Sequence, residues 1–172
     1  MNSSSPSSAV SISLAKPRIT LRSRIAIVSA SWHTDIVQQA RDACVTELAR
    51  QGWPSDQIDL FAVPGALEIP LHAQKLAKTK RYDAIIACAL VVDGGIYRHE
   101  FVTSAVIDGL MRVQLDTEIP LFSVVLTPKD FQENVDHVQF FTAHFVKKGT
   151  EAARACLQTV AGLQAVEMLN VI

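Results

Sequence analysis

Short runs of branched apolar residues alternate along this chain with longer stretches in which apolar residues recur every three or four positions. Arg24 to Ala30 is such a run and predicts a buried strand, followed by a loop at Ser31-Trp32-His33. Thr34 and Asp35 supply helix-start chemistry, and Ile36, Ala40, Cys44 and Leu48 then share one helical face until Gly52-Trp53-Pro54 ends it. Ile58 to Val63 predicts a second strand closed by Pro64-Gly65, and Leu67 to Lys78 a helix that tolerates Pro70 in its first turn. Tyr82 to Val92 is almost wholly apolar from Ala84 onward, the pattern of a strand covered on both faces. Asp93-Gly94-Gly95 breaks it, and a helix is expected from about Arg98 to Leu115 with Phe101, Ala105, Val106, Leu110 and Val113 on its apolar side. Pro120 to Leu126 is the fourth strand, stopped by Pro128. A helical pair is expected after it, its last member long and turning Ala152, Cys156, Val160 and Leu163 inward.

Strands alternating with helices imply right-handed crossovers and an α/β three-layer sandwich, with a flavodoxin-like four-stranded parallel sheet between helices. A chain of 172 residues has room for one core. The reading is a flexible, serine-rich tail over residues 1–17 and a single domain over 18–172, without repeats or linkers. In such sheets ligands gather at the carboxyl ends of the strands. The residues just after Ala30, Val63, Val92 and Leu126 are therefore where chemistry is expected.

Composition narrows the field. A net charge of −1 gives no general attraction to nucleic acid, so any anion site must be local. No stretch has the length of a membrane span, and the first residues lack the basic start and apolar core of a secretory signal. A cytoplasmic protein is expected. Cys44, Cys88 and Cys156 each fall in an apolar run with no paired spacing, and read as small buried hydrophobes in a reducing compartment. The scattered histidines argue against a metal site, and no dinucleotide or nucleotide phosphate-loop motif is present.

The four loops carry what chemistry there is. Trp32 offers an indole on which a flat heteroaromatic ring can stack, although a tryptophan in an ordinary core or interface would look the same. Pro64-Gly65 makes a tight turn, after which Ala66 and Leu67 present backbone amides at a helix start and Glu68 a carboxylate in the first turn. Glu68 can serve the helix or hydrogen-bond the hydroxyls of a polyol. Gly94 and Gly95 let the backbone approach a ligand closely, at a helix N-terminus suited to phosphate. Arg98 adds a fixed positive fork, and His99 an imidazole suited to passing a proton. After the fourth strand, His137, His144, Lys147 and Lys148 are either closure over an anion or solvated surface.

Taken in order, Ser31-Trp32, Pro64-Gly65-Ala66-Leu67-Glu68-Ile69-Pro70, Gly94-Gly95-Ile96 and Gly109-Leu110-Met111 resemble the lumazine synthase (6,7-dimethyl-8-ribityllumazine synthase) family from about Arg24 to Leu163. The resemblance implies condensation of 5-amino-6-(D-ribitylamino)uracil with 3,4-dihydroxy-2-butanone 4-phosphate in riboflavin biosynthesis, with no cofactor and no metal. It would place Trp32 on the uracil ring, Ala66, Leu67 and Glu68 along the ribityl chain and ring, and Leu90, Val91 and Val92 against the pyrimidine. The amides of Gly95 and Ile96 would cradle the phosphate. Two positions depart from the family pattern: Arg98 stands in the column of the usual proton-shuttling histidine, with His99 one residue on, and His137 stands in the column of a phosphate-binding arginine. The roles of cation and imidazole are thereby expected to be exchanged, with Arg98 and His99 as the catalytic candidates. The resemblance further implies homopentamers with shared sites, Ser123 and His137 reaching in from the neighbouring subunit. The phenylalanine-rich stretch from Phe140 to Phe145 implies paired pentamers, a decamer rather than a sixty-subunit shell. A flavin- or lumazine-binding protein on the same scaffold, without catalysis, is the alternative, and turnover separates the two.

Overall fold

The computed structural model describes residues 16–95 and 98–169. Most of the expected tail lies outside that range, as does Ile96. Four strands form one sheet: β1 (Ile25–Ala30), β2 (Ile58–Val63), β3 (Ala84–Leu90) and β4 (Leu121–Leu126). All pair in parallel in the order β2-β1-β3-β4, with Ile25 opposite both Ile58 and Ala84, and Ile85 opposite Leu121. The helices are α1 (Thr34–Arg50), α2 (Ile69–Lys78), α3 (His99–Thr117) and α4 (Val135–Leu169), with a single 3-10 turn at Ala66–Glu68 leading into α2.

Each face of the sheet buries its own core. Ile25, Ile27, Cys88 and Val124 pack under α1 and α4 with Phe145 and Trp53. Ala26, Val28, Ile85 and Ala87 pack under α2 and α3 with Ile69, Val106 and Leu110. The central strands β1 and β3 are buried at every position, as their unbroken apolar runs require. The three cysteines are free and buried, as expected. At the amino edge of the sheet, Arg24 Nε donates to Asp59 at 2.8 Å and Tyr82 Oη donates to the same carboxylate at 2.9 Å. The guanidinium holds the Asp59 carboxyl below its usual range, against the opposing effect of burial.

Several expectations are corrected. The region after β4 is one continuous helix of 35 residues rather than a pair. It crosses α1 so closely at Gly149 that an added Cβ would lie 2.3 Å from the Ala40 carbonyl oxygen, and Cys44 Sγ donates to Gly149 O at 3.2 Å. Gly149, in the middle of this helix, is the point of helix contact. Leu163 lies beyond the core and is exposed. Phe101 and Ala105 face outward on α3, whose buried stripe is His99, Val106, Leu110 and Val113. Neither Thr34 nor Asp35 caps α1: His33 holds the N-cap position in a left-handed conformation (φ 54°) with no side-chain cap. Gly52, at φ 98°, follows the last turn of α1 in the conformation glycine favours.

Candidate active site

The loops after β1, β2 and β3 meet at the carboxyl edge of the sheet around a cavity of about 480 Å³. Its size suits a small organic molecule. Trp32, Ala66, Leu67, Glu68, Leu90, Val91, Val92 and His99 all border it, so eight of the predicted site residues are brought together. The loop after β4 contributes nothing to its lining within a single chain.

Trp32 leaves 69% of its surface open although it sits at the cavity, an unusual cost for a tryptophan that no core requires. The backbone beneath it is Gly65, where an added Cβ would come within 3.4 Å of the indole and 3.1 Å of Glu68 Oε2. Gly65 is extended (φ −142°), so space rather than backbone strain demands the glycine. The Gly65 N–H donates to Glu68 Oε2 at 2.8 Å, closing the turn and leaving Oε1 for other partners. Ala66 and Leu67 open the 3-10 turn, where backbone amides have no acceptor within the turn.

Beyond β3, Gly95 adopts φ 75°, a conformation glycine alone takes without strain, and its N–H donates to Asp93 Oδ1 at 3.0 Å. Arg98 and His99 then diverge. Arg98 is exposed, its guanidinium 5.8 Å from the centre of the Phe101 ring, and it does not line the cavity. His99 opens α3, is 8% exposed, and borders the cavity. Its Nδ1 has no hydrogen-bond partner among the described residues, with Glu100 Oε2 at 3.7 Å and Asp93 Oδ2 at 4.0 Å.

Ser123 and His137 are away from the cavity. Ser123 is exposed on the edge strand β4, its Oγ accepting from Val125 N at 3.2 Å. His137 Nδ1 accepts from Gln132 N at 3.2 Å, and its ring meets Phe141 edge-on. Lys147 and Lys148 pair with Glu151, at 4.0 and 2.7 Å, and His144 stacks on Phe140.

Three lining residues, Ala30 at the end of β1, His33 and Val102, escaped the sequence reading. His33 enters through its left-handed conformation and touches Phe131 edge-on at 5.6 Å between ring centres. Val102 follows His99 by three residues, a helical spacing that made it findable. Among the described residues no group of three or more His, Cys, Asp or Glu side chains could hold a metal ion.

A cavity at the carboxyl edge of a parallel sheet, with an open indole on one side and a buried imidazole on the other, belongs to α/β enzymes that bind small molecules. The family model of 6,7-dimethyl-8-ribityllumazine synthase matches residues 22–164. A 6,7-dimethyl-8-ribityllumazine synthase of Rhodococcus erythropolis is 62% identical over 142 residues, which is 83% of this chain and 92% of that protein. A 6,7-dimethyl-8-ribityllumazine synthase 2 of Pseudomonas syringae pv. tomato is 52% identical over 147 residues, 86% of each chain. A 6,7-dimethyl-8-ribityllumazine synthase of Burkholderia multivorans is 36% identical over 147 residues, 86% of this chain and 81% of that one. The chain belongs to the 6,7-dimethyl-8-ribityllumazine synthase family.

Proposed function

We propose that this protein condenses 5-amino-6-(D-ribitylamino)uracil with 3,4-dihydroxy-2-butanone 4-phosphate to give 6,7-dimethyl-8-ribityllumazine. The observation that carries this reading is the convergence of Trp32, Glu68 and His99 on one cavity within a chain of this family. The Trp32 indole stacks on the pyrimidine, the backbone of Leu90 to Val92 borders the ring, and Glu68 Oε1 accepts from the ribityl hydroxyls. The phosphate sits at the start of α3 on the amides of Gly95 and Ile96, taking the Gly95 N–H from Asp93, while Arg98 swings from Phe101 to neutralise its charge.

The chemistry needs protons moved more than it needs strong acids. The amine attacks the ketone and loses a proton, and the resulting hydroxyl departs as water to leave an imine. Removal of a C–H proton then expels inorganic phosphate, and ring closure releases a second water. Two imidazoles border the cavity. His33 is turned edge-on to Phe131 at the β1 loop, while His99 stands at the start of α3 beside the glycine turn. His99 therefore carries these protons, whereas an arginine side chain keeps its proton throughout. Holding two reactants together in one cavity supplies roughly 7–11 kcal/mol in favourable cases, and the proton carrier adds about 10²–10⁴-fold.

The site is completed by a second copy of the chain. Leu67, Leu71, Phe101, Met111 and Leu115 are exposed along α2, its leading turn and α3, apolar surface of the kind that marks an interface. Ser123 and His137, away from their own cavity, supply the neighbour's wall and phosphate site in a pentamer. The aromatic cluster of Phe131, Phe140 and Phe141 at the start of α4 pairs two pentamers. The protein works in the cytoplasm; among the described residues no helix is long and apolar enough to cross a membrane.

The test is direct: purified protein with both substrates, following the absorbance of the lumazine. Product is expected, with turnover reduced about 10²-fold or more in His99→Ala and less in Arg98→Ala. Absence of product with the wild-type protein overturns the reading. An unchanged rate in His99→Ala overturns the assignment of the proton carrier.

A further inference from the structure

His99 is a buried imidazole whose tautomer no hydrogen bond at Nδ1 fixes among the described residues. Its Nδ1 is shielded from solvent, lacks a hydrogen-bond partner among the described residues, and faces two carboxylates just beyond bonding distance. Which ring nitrogen of a histidine carries the proton is set by the bond the other one makes. The two carboxylates are not equivalent. Glu100 is a free, exposed side chain in the first turn of α3. Asp93 is exposed too, but its Oδ1 is already held by the Gly95 N–H at 3.0 Å, so bringing Oδ2 the last step costs less rotamer freedom.

We propose that Asp93 is the positioning residue of this site, a link that joins the glycine turn to His99 by accepting Nδ1–H on one carboxylate oxygen. The inference rests on the reading of His99 as proton carrier. With Nδ1–H committed to Asp93, the lone pair sits on Nε2, and the imidazole meets the cavity as a base. In the free protein the Gly95 N–H holds the Asp93 carboxylate within reach of Nδ1, so the base is oriented before phosphate takes that amide. Among the described residues the other ionisable groups around His99 are Arg98 beside it, whose guanidinium lies over Phe101, and Glu68 and His33 on the cavity walls.

Asp93→Asn separates charge from shape. Asparagine keeps an oxygen for the Gly95 N–H and places an amide NH2 where Oδ2 stood, so it donates to Nδ1 and forces the proton onto Nε2. The experiment is magic-angle-spinning NMR on 15N-histidine-labelled protein with neutral imidazole, His99→Ala identifying the signal, beside steady-state kinetics. Wild-type His99 is expected with the proton on Nδ1, Asp93→Asn with it on Nε2, Asp93→Ala with a mixture, and Glu100→Gln like wild type. Turnover is expected to fall about 10²-fold in Asp93→Asn with KM little changed, and to be unaltered in Glu100→Gln. An unchanged tautomer in Asp93→Asn, or inversion in Glu100→Gln, overturns the proposal. If the wild type makes no lumazine, the reading of the function falls, and the NMR arm still decides whether Asp93 fixes His99.

Discussion

Alanine in place of glycine raises helix propensity by about 1 kcal/mol wherever the site has room. The α4 helix carries two glycines in opposite surroundings. An added Cβ at Gly162 would meet nothing within 4 Å, whereas at Gly149 it would sit 2.3 Å from Ala40 O and 2.9 Å from Ala40 C and Cα. An ordinary contact begins at 3.4 Å, so α4 must retreat about 1 Å from α1, and backbone cannot turn aside as a side chain does. A gap of that size forfeits about a quarter to a half of each dispersion contact at the crossing. Phe145, Ala153 and Cys156 pack there against Val37, Ala40 and Cys44. Overpacking costs about 1–3 kcal/mol, and a backbone clash belongs at the upper end. After the gain of about 1 kcal/mol in propensity, Gly149→Ala is expected to lose about 2 kcal/mol, or 4–8 °C in Tm for a chain of this length. Gly162→Ala is expected to gain about 1 kcal/mol, or 2–4 °C. Both are measured by calorimetry at one protomer concentration, because assembly makes Tm concentration-dependent. If both variants shift in the same direction, the α1–α4 contact does not govern stability and the reasoning fails.

Trp32→Ala is expected to weaken binding of the lumazine product by about 1–3 kcal/mol, roughly 5- to 150-fold in Kd, with little change in Tm; titration calorimetry showing an unchanged Kd removes the stacking role. Gly65→Ala is expected to fold normally, since its backbone is extended, and to bind ligand more weakly because the new methyl displaces the Trp32 ring and the Glu68 carboxylate together; normal affinity would show that they move freely. The buried Glu47 carboxyl is held well below the usual carboxylate range by hydrogen bonds from Arg50, then Arg154 and Gln51. A lowered folded-state value means stability that is present above the unfolded-state value of about 4.3 and lost as pH falls through it toward the folded one. Urea unfolding is therefore expected to show wild type more stable than Glu47→Gln at neutral pH, with the gap closing in acid; a gap that ignores pH counts against this pairing.

What the sequence disclosed and what it withheld follow from the same geometry. A strand buried on both faces must be apolar throughout, so β1 and β3 announced themselves, and parallel pairing then put four loops at one edge, three of which line the cavity, without any side-chain information. Apolar spacing on α3 was less informative because the helix has two apolar stripes. His99, Val106, Leu110 and Val113 face this chain's core, while Phe101, Ala105, Met111 and Leu115 face outward, and periodicity cannot say which stripe is internal. The single helix α4 was read as a pair because one long helix and two shorter ones carry the same apolar spacing, and nothing in one chain marks Gly149 as the point that admits α1. The choice between Arg98 and His99 was the hardest of these. Successive residues on a helix differ by about 100° in direction, so a shift of one residue in where α3 begins exchanges which side chain enters the cavity. In the structure Arg98 retains extended backbone and α3 begins at His99. That boundary sends the guanidinium out over Phe101 and the imidazole in, and with it the chemistry the motif can perform.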